Sequence, residues 1–181
     1  HHRAASAVKV GLRRREQNPN YTGDEEFNFF LSVIFPSDEL RILDYNRVIK
    51  DLNGLSDEEF LLELRHKFDI ENHGKNEYRP KRAHSFGMYM SGEWYALFAK
   101  SEITKSLDAV KSLDVSILQD NVISPILGID DPRTDKRIDF VGGIRGLSEL
   151  SRRVDSGEEK LAFSMFPTTL DELTNIADKS M

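Results

Sequence analysis

The 181-residue chain contains no cysteine. That excludes a disulfide framework, a cysteine-ligated zinc site and a thiol nucleophile, and it suits a reducing cytosol. No apolar run approaches the roughly 20 residues needed to cross a bilayer, so a cytoplasmic protein with no membrane partner is expected. Positive charge is also short: 25 Lys and Arg against 31 Asp and Glu give a net charge of -6 and a pI near 5.4. Nucleic-acid binders draw affinity from a basic surface that neutralises phosphates. Nucleic acid is therefore not an expected partner, and any phosphate site must be local. There is no G-x-S-x-G elbow and no H-E-x-x-H helix, so hydrolase templates gain no support. The sequon Asn20-Tyr21-Thr22 follows no secretory signal and is not read as a glycosylation site.

What is present is a globular composition, 39% hydrophobic and 31% charged, long enough to bury a core. With no initiator Met and an amphipathic helix beginning almost at once, residues 1–181 read as a single α+β domain truncated at its N-terminus. Residues 3–16 predict that helix, with Ala4, Ala5, Val8 and Leu12 on one stripe and Arg13, Arg14 and Arg15 at the negative end of the dipole. "FNFFLSVIF" (27–35) is almost continuously apolar and predicts a buried central strand closed by Pro36, with Leu40 to Leu43 as a short strand beside it. Ser56 and Glu59 form a capping box ahead of a helix bearing Phe60, Leu61 and Leu64. "HSFGMYMSGEWYALFAK" predicts an antiparallel hairpin turning at Ser91-Gly92. A helix capped by Asp114 or Ser116 and stopped before Pro125 follows. Then come a strand at "KRIDFV", a turn at "GGIRG", a helix at "LSELSRRV", a strand at "KLAFSMF", and a last helix with the capping box Thr169 and Glu172. The fold class is α+β, a mixed sheet with an antiparallel hairpin and flanking helices.

Four stretches could carry chemistry, each with a plainer alternative. In "VGGIRG", Gly142 and Gly143 let backbone N–H groups approach an anion and Arg145 adds charge, or the glycines simply serve a tight turn. Asp130, Asp131, Asp135 and Asp139 are of the type that holds magnesium, or they compensate Arg133, Lys136 and Arg137 in a solvated loop. Asp69, Glu71 and His73, with His66 nearby, make a metal face if they lie on a strand, or an exposed strand face without one; no metal site is expected. The hairpin tyrosines and Trp94 stack a ring or pack the sheet.

The opening "HHRAASA" is a tag scar or a phosphate motif. A His and an Arg at the first turn of a helix make an anion site, because free N–H groups and the positive dipole end meet an imidazole and a guanidinium. With "FNFFLSVIFPSDELRILDYNRVIKDLNGLS", "SFGMYMSGEWYAL", "LDVSILQDNVISPILGI" and "IDFVGG", it resembles an uncharacterised prokaryotic domain-of-unknown-function family whose members carry a D-G-H-H-R-x-x-A motif. That motif is similar to the phosphate-binding turn of the ParB and sulfiredoxin superfamily, which includes a free-serine kinase. The resemblance implies the C-terminal part of a ParB/sulfiredoxin-like protein, with His1, His2 and Arg3 at the phosphate grip and ATP, ADP or CTP with magnesium as ligand. The Asp-Gly expected before His1 is absent, and no catalytic residue carries over. Without a cysteine or a basic surface, the repair and partition roles are disfavoured. The expectation is a protein that binds a small-molecule nucleotide or phosphorylated metabolite, either as a serine-like metabolite kinase or as a non-catalytic sensor, with Gly142, Gly143 and Arg145 as further candidates for the site.

Overall fold

The computed structural model describes residues 2–105 and 108–179. The chain divides into two compact units, His1–Leu40 and Arg41–Met181, and each is described by itself.

The first unit holds helix α1 (His2–Gln17), as its apolar spacing predicts, and a 3₁₀ turn at Glu26–Asn28. Gly11 lies against the turn, where an added Cβ would come 3.1 Å from the carbonyl oxygen of Phe27. Arg15 Nε donates to Asn28 Oδ1 at 2.7 Å. The strand predicted over 27–35 is not formed. Over residues 29–36 the backbone carries no regular structure before a short 3₁₀ turn at Ser37–Glu39, and Leu31 and Ile34 are 92% and 89% exposed. A strand needs a neighbour to complete its ladder, and this unit offers the run one helix and no strand among its described residues.

The second unit is a six-stranded sheet in the order β2-β4-β3-β6-β1-β5, with β1 at Tyr45–Ile49, β2 at Phe68–Gly74, β3 at Ser85–Met90, β4 at Glu93–Ala99, β5 at Ile138–Gly142 and β6 at Leu161–Met165. Every described pairing is antiparallel, which corrects the expected mixed sheet. The α+β class holds, with five α-helices among the described residues: α1, α2 (Asp57–Arg65), α3 (Asp114–Leu118), α4 (Ser148–Asp155) and α5 (Leu170–Lys179). No described helix is long and apolar enough to cross a membrane.

The hairpin forms as expected, with Ser91 (φ 53°) and Gly92 (φ 82°) supplying the two left-handed turn residues. It places β3 at the centre of the sheet, where all six of its residues are buried. The short strand expected over Leu40 to Leu43 is not seen; the ladder starts instead at Tyr45, where alternating burial begins. On one face Ile49, Met88, Leu97 and Phe163 join Phe60 and Leu64 of α2 and Ile117 and Leu118 of α3. On the other, Val48, Trp94 and Ala162 meet Leu147 and Leu150, the latter on α4.

Both capping boxes are present: Ser56 with Glu59 at α2, and Thr169 with Glu172 at α5. The cap expected from Asp114 or Ser116 is not. Leu113 is the N-cap of α3 and no side chain caps it. Tertiary partners claim both candidates: Asp114 Oδ1 accepts from the His84 N–H at 2.8 Å, and Ser116 Oγ donates to the Val110 carbonyl at 2.7 Å. Beyond α3 the helix widens into one π turn, Gln119–Ile123, before Pro125.

Candidate functional site

The start of β1 carries two ionisable side chains in very different surroundings, Asp44 just before the strand and Arg47 at its middle. Asp44, just before β1, is 4% exposed. Its Oδ1 accepts from Arg79 Nη1 at 3.0 Å and its Oδ2 from Asn46 Nδ2 at 2.8 Å. Asn46 in turn accepts from the Met165 N–H at 2.9 Å, tying β1 to the end of β6. A carboxylate satisfied on both oxygens is a structural tie. The Gly-rich turn closes over it: the Gly143 N–H donates to the Asp44 carbonyl at 2.7 Å, and a Cβ on Gly143 would sit 2.2 Å from Asp44 Oδ1. Glycine is required there by the approach of a carboxylate. Gly142 precedes it at the end of β5, and Arg145 is exposed with Glu149 4.0 Å away. These three residues share one turn in the second unit. Arg3 is exposed in the first turn of α1 in the first unit, whereas His1 and the side chain of His2 lie outside the described residues.

Arg47 is the contrasting case. It shares a strand face with Tyr45 and Ile49 and so points to the sheet face that α3 covers. Across the edge ladder its Cα partner is Phe140, and its guanidinium lies 5.5 Å from that ring's centre. Tyr45 stacks on the same ring, centroids 5.1 Å apart and planes 5° from parallel. The guanidinium donates to the Tyr45 carbonyl and has no carboxylate partner among the described residues. Burial pushes its pKa down to about 10. It therefore stays charged at neutral pH while lacking both full hydration and a paired carboxylate among the described residues.

That charge lines a cleft of about 390 Å³. Lys111 adds a second cation, Asp120 a carboxylate, and Val110, Val115, Pro132 and Phe140 apolar walls. The π turn helps to shape it, since Gln119 and Asp120 open the turn and line the cleft; single π turns recur at functional sites. A guanidinium and an ammonium beside an aromatic wall can hold an oxyanion attached to a planar ring.

The other stretches are accounted for by contacts within the chain. Asp131 pairs with Arg133 at 2.9 Å, Asp135 with Arg137 at 2.8 Å and Asp139 with Arg153 at 2.8 Å, while Asp130 accepts from Ser124 Oγ at 2.6 Å. Asp69, Glu71 and His73 do lie on β2, with His73 Nε2 3.8 Å from Glu71 Oε2. No group of three or more potential metal ligands is assembled among the described residues. Trp94 is 1% exposed and packs against Tyr89, ring centres 5.1 Å apart. Sequence reasoning missed Arg47, although a signal was there: in "YNRVI" an arginine occupies an inward position of an alternating run.

A family model described as "Protein of unknown function (DUF1015)" matches residues 1–116. No curated protein and no solved structure matches the chain.

Proposed function

The chain belongs to this DUF1015 family, and from that premise we propose that it binds a nucleotide or a phosphorylated small metabolite in the cleft lined by Arg47, Lys111 and Phe140. One observation carries the reading: Arg47 is a half-buried cation with no ion-pair partner among the described residues, beside a cavity of ligand size. An oxyanion bound there removes an electrostatic cost that the fold leaves standing, so binding energy comes from the ligand's charge and from ring stacking on Phe140. The resemblance of the opening motif to that of nucleotide-binding ParB and sulfiredoxin-type proteins makes ATP, ADP or CTP with magnesium the ligands of first choice. Asp120 and the Ser116 hydroxyl suit magnesium that arrives on the phosphates and keeps most of its water. A phosphotransferase acting on a serine-like hydroxyl is the catalytic form of the proposal, and a nucleotide sensor the non-catalytic form; Asp120 is the cleft carboxylate available as a base.

Calorimetry with ATP, ADP and CTP in magnesium tests it. One nucleotide should bind, and Arg47→Met should weaken it at least about tenfold, the worth of one charged hydrogen bond. Phosphorus NMR with serine present then separates transfer from binding. Heat traces identical for wild type and Arg47→Met sink the proposal.

A further inference from the structure

Gln119 opens the π turn beyond α3 and lines the Arg47 cleft. It stands four residues after Val115, another lining residue, and so shares its helix face. Its amide is oriented by backbone rather than by another side chain. Nε2 donates to the carbonyl of Ile129, a fully buried residue, at 2.8 Å and reaches the carbonyl of Asp130 at 3.5 Å. Turning the amide over would set Oε1 against two carbonyl oxygens, acceptor against acceptor, so the neighbouring backbone fixes which way it points. The donor half is thereby spent inside the chain, and Oε1 has no hydrogen-bond partner among the described residues. Nor is it sealed off: among the described residues the buried side-chain oxygens without a partner are Asp114 Oδ2 and Glu159 Oε2, so Gln119 Oε1 is open to solvent.

The polar groups of the cleft are therefore of two kinds. Arg47 and Lys111 bring cationic donors, which suit phosphate oxygens. On the helical side the protons are already committed: Ser116 Oγ donates to the Val110 carbonyl at 2.7 Å, and Gln119 keeps an acceptor alone. With Ser116 and Asp120 suited to magnesium, Gln119 Oε1 is the neutral acceptor left for the rest of a nucleotide. A ring amino group gives that oxygen a donor. A ring carbonyl in the same place sets oxygen against oxygen and leaves both unpaired, and a site built to hydrogen-bond one group rejects the analogue lacking it. Resting on the nucleotide binding proposed above, we infer that Gln119 selects the base: the cleft takes a ring with an exocyclic amino group, as in adenine or cytosine, over the oxo counterpart in hypoxanthine or uracil. Phosphate affinity then comes from the cations, and base choice from one amide whose direction the backbone sets.

Calorimetry on the full chain in magnesium tests the selection by comparing ATP with ITP and CTP with UTP, each pair exchanging an amino group on the base for an oxo group. In whichever pair binds, the amino member should be at least about tenfold tighter. Gln119→Met keeps the reach of the side chain and removes the acceptor, so it should bring the two members of that pair within about twofold of each other by weakening the amino member. Arg47→Met should instead weaken both members alike, because it acts on the phosphate. The two proposals fail in different ways. If none of the four nucleotides binds, the nucleotide cleft and its selectivity fall together. If both members of a pair bind equally and Arg47→Met weakens them, the cleft stands and the selection by Gln119 is overturned, as it is by a preference that survives unchanged in Gln119→Met. The wild-type ratio needs no variant, so it decides the matter even if Gln119→Met fails to fold.

Discussion

Asp44 and Arg47 stand three residues apart, and their surroundings separate structural charge from functional charge. The carboxylate is buried and satisfied on both oxygens by Arg79 and Asn46. The guanidinium is half-buried, has no carboxylate partner among the described residues, and faces a cleft. A buried charge with all its partners holds elements together, and losing either partner exposes the other to an uncompensated environment. A desolvated charge without a counter-ion weakens the fold that contains it, and such costs persist at sites that serve a ligand.

The comparison is open to several breaks. Removing the satisfied charge should have the largest effect: Asp44→Ala should lose about 3 kcal/mol of stability in denaturant melts, because it strips Asn46 and Arg79 of their acceptor at once. Gly143→Ala should cost about 2 kcal/mol by driving a methyl group into the same carboxylate, unless Asp44 is removed first, in which case the penalty should shrink. Arg47→Met should act with the opposite sign, leaving the fold as stable or about 1 kcal/mol more stable while ligand binding weakens at least about tenfold. A loss of several kcal/mol there would make Arg47 a structural residue like Asp44.

Asp114 is intermediate and sharpens the contrast. One oxygen accepts from the His84 N–H, the other is buried without a partner, and burial raises the pKa to about 6, the His84 N–H opposing and Glu172 adding to the rise. The native state then holds its proton where the unfolded chain has released it, so this contribution to stability is full below about pH 4 and is lost as pH rises toward about 6. Asp114→Asn should therefore exceed wild type by up to about 1 kcal/mol at pH 8, with the gap closing between pH 6 and pH 4. Melts at the two ends of that range check it.

Much of the fold was legible where the signal is local. The capping boxes at Ser56 and Thr169, the Ser91-Gly92 hairpin and the stripe of α1 each depend on residues within one turn of one another. The misreadings share a cause. "FNFFLSVIF" has the composition of a central strand, but a central position is conferred by neighbours, and "SFGMYM" and "LAFSM" hold it instead. Asp114 has the chemistry of an N-cap, yet the His84 N–H, 30 residues away, takes its oxygen.

The amino-acid sequence by itself determined the α+β class, most element positions and the types of charge available, because periodicity, capping and turn chemistry act over a few residues. Only the tertiary structure decided which charges are paired. Arg79 reaches Asp44 from 35 positions away and Arg153 reaches Asp139 from 14, while Arg47 is left beside a cleft with no carboxylate partner among the described residues and Glu159 Oε2 is buried with no hydrogen-bond partner. Coulomb energy and desolvation depend on distance through space, and linear order carries neither.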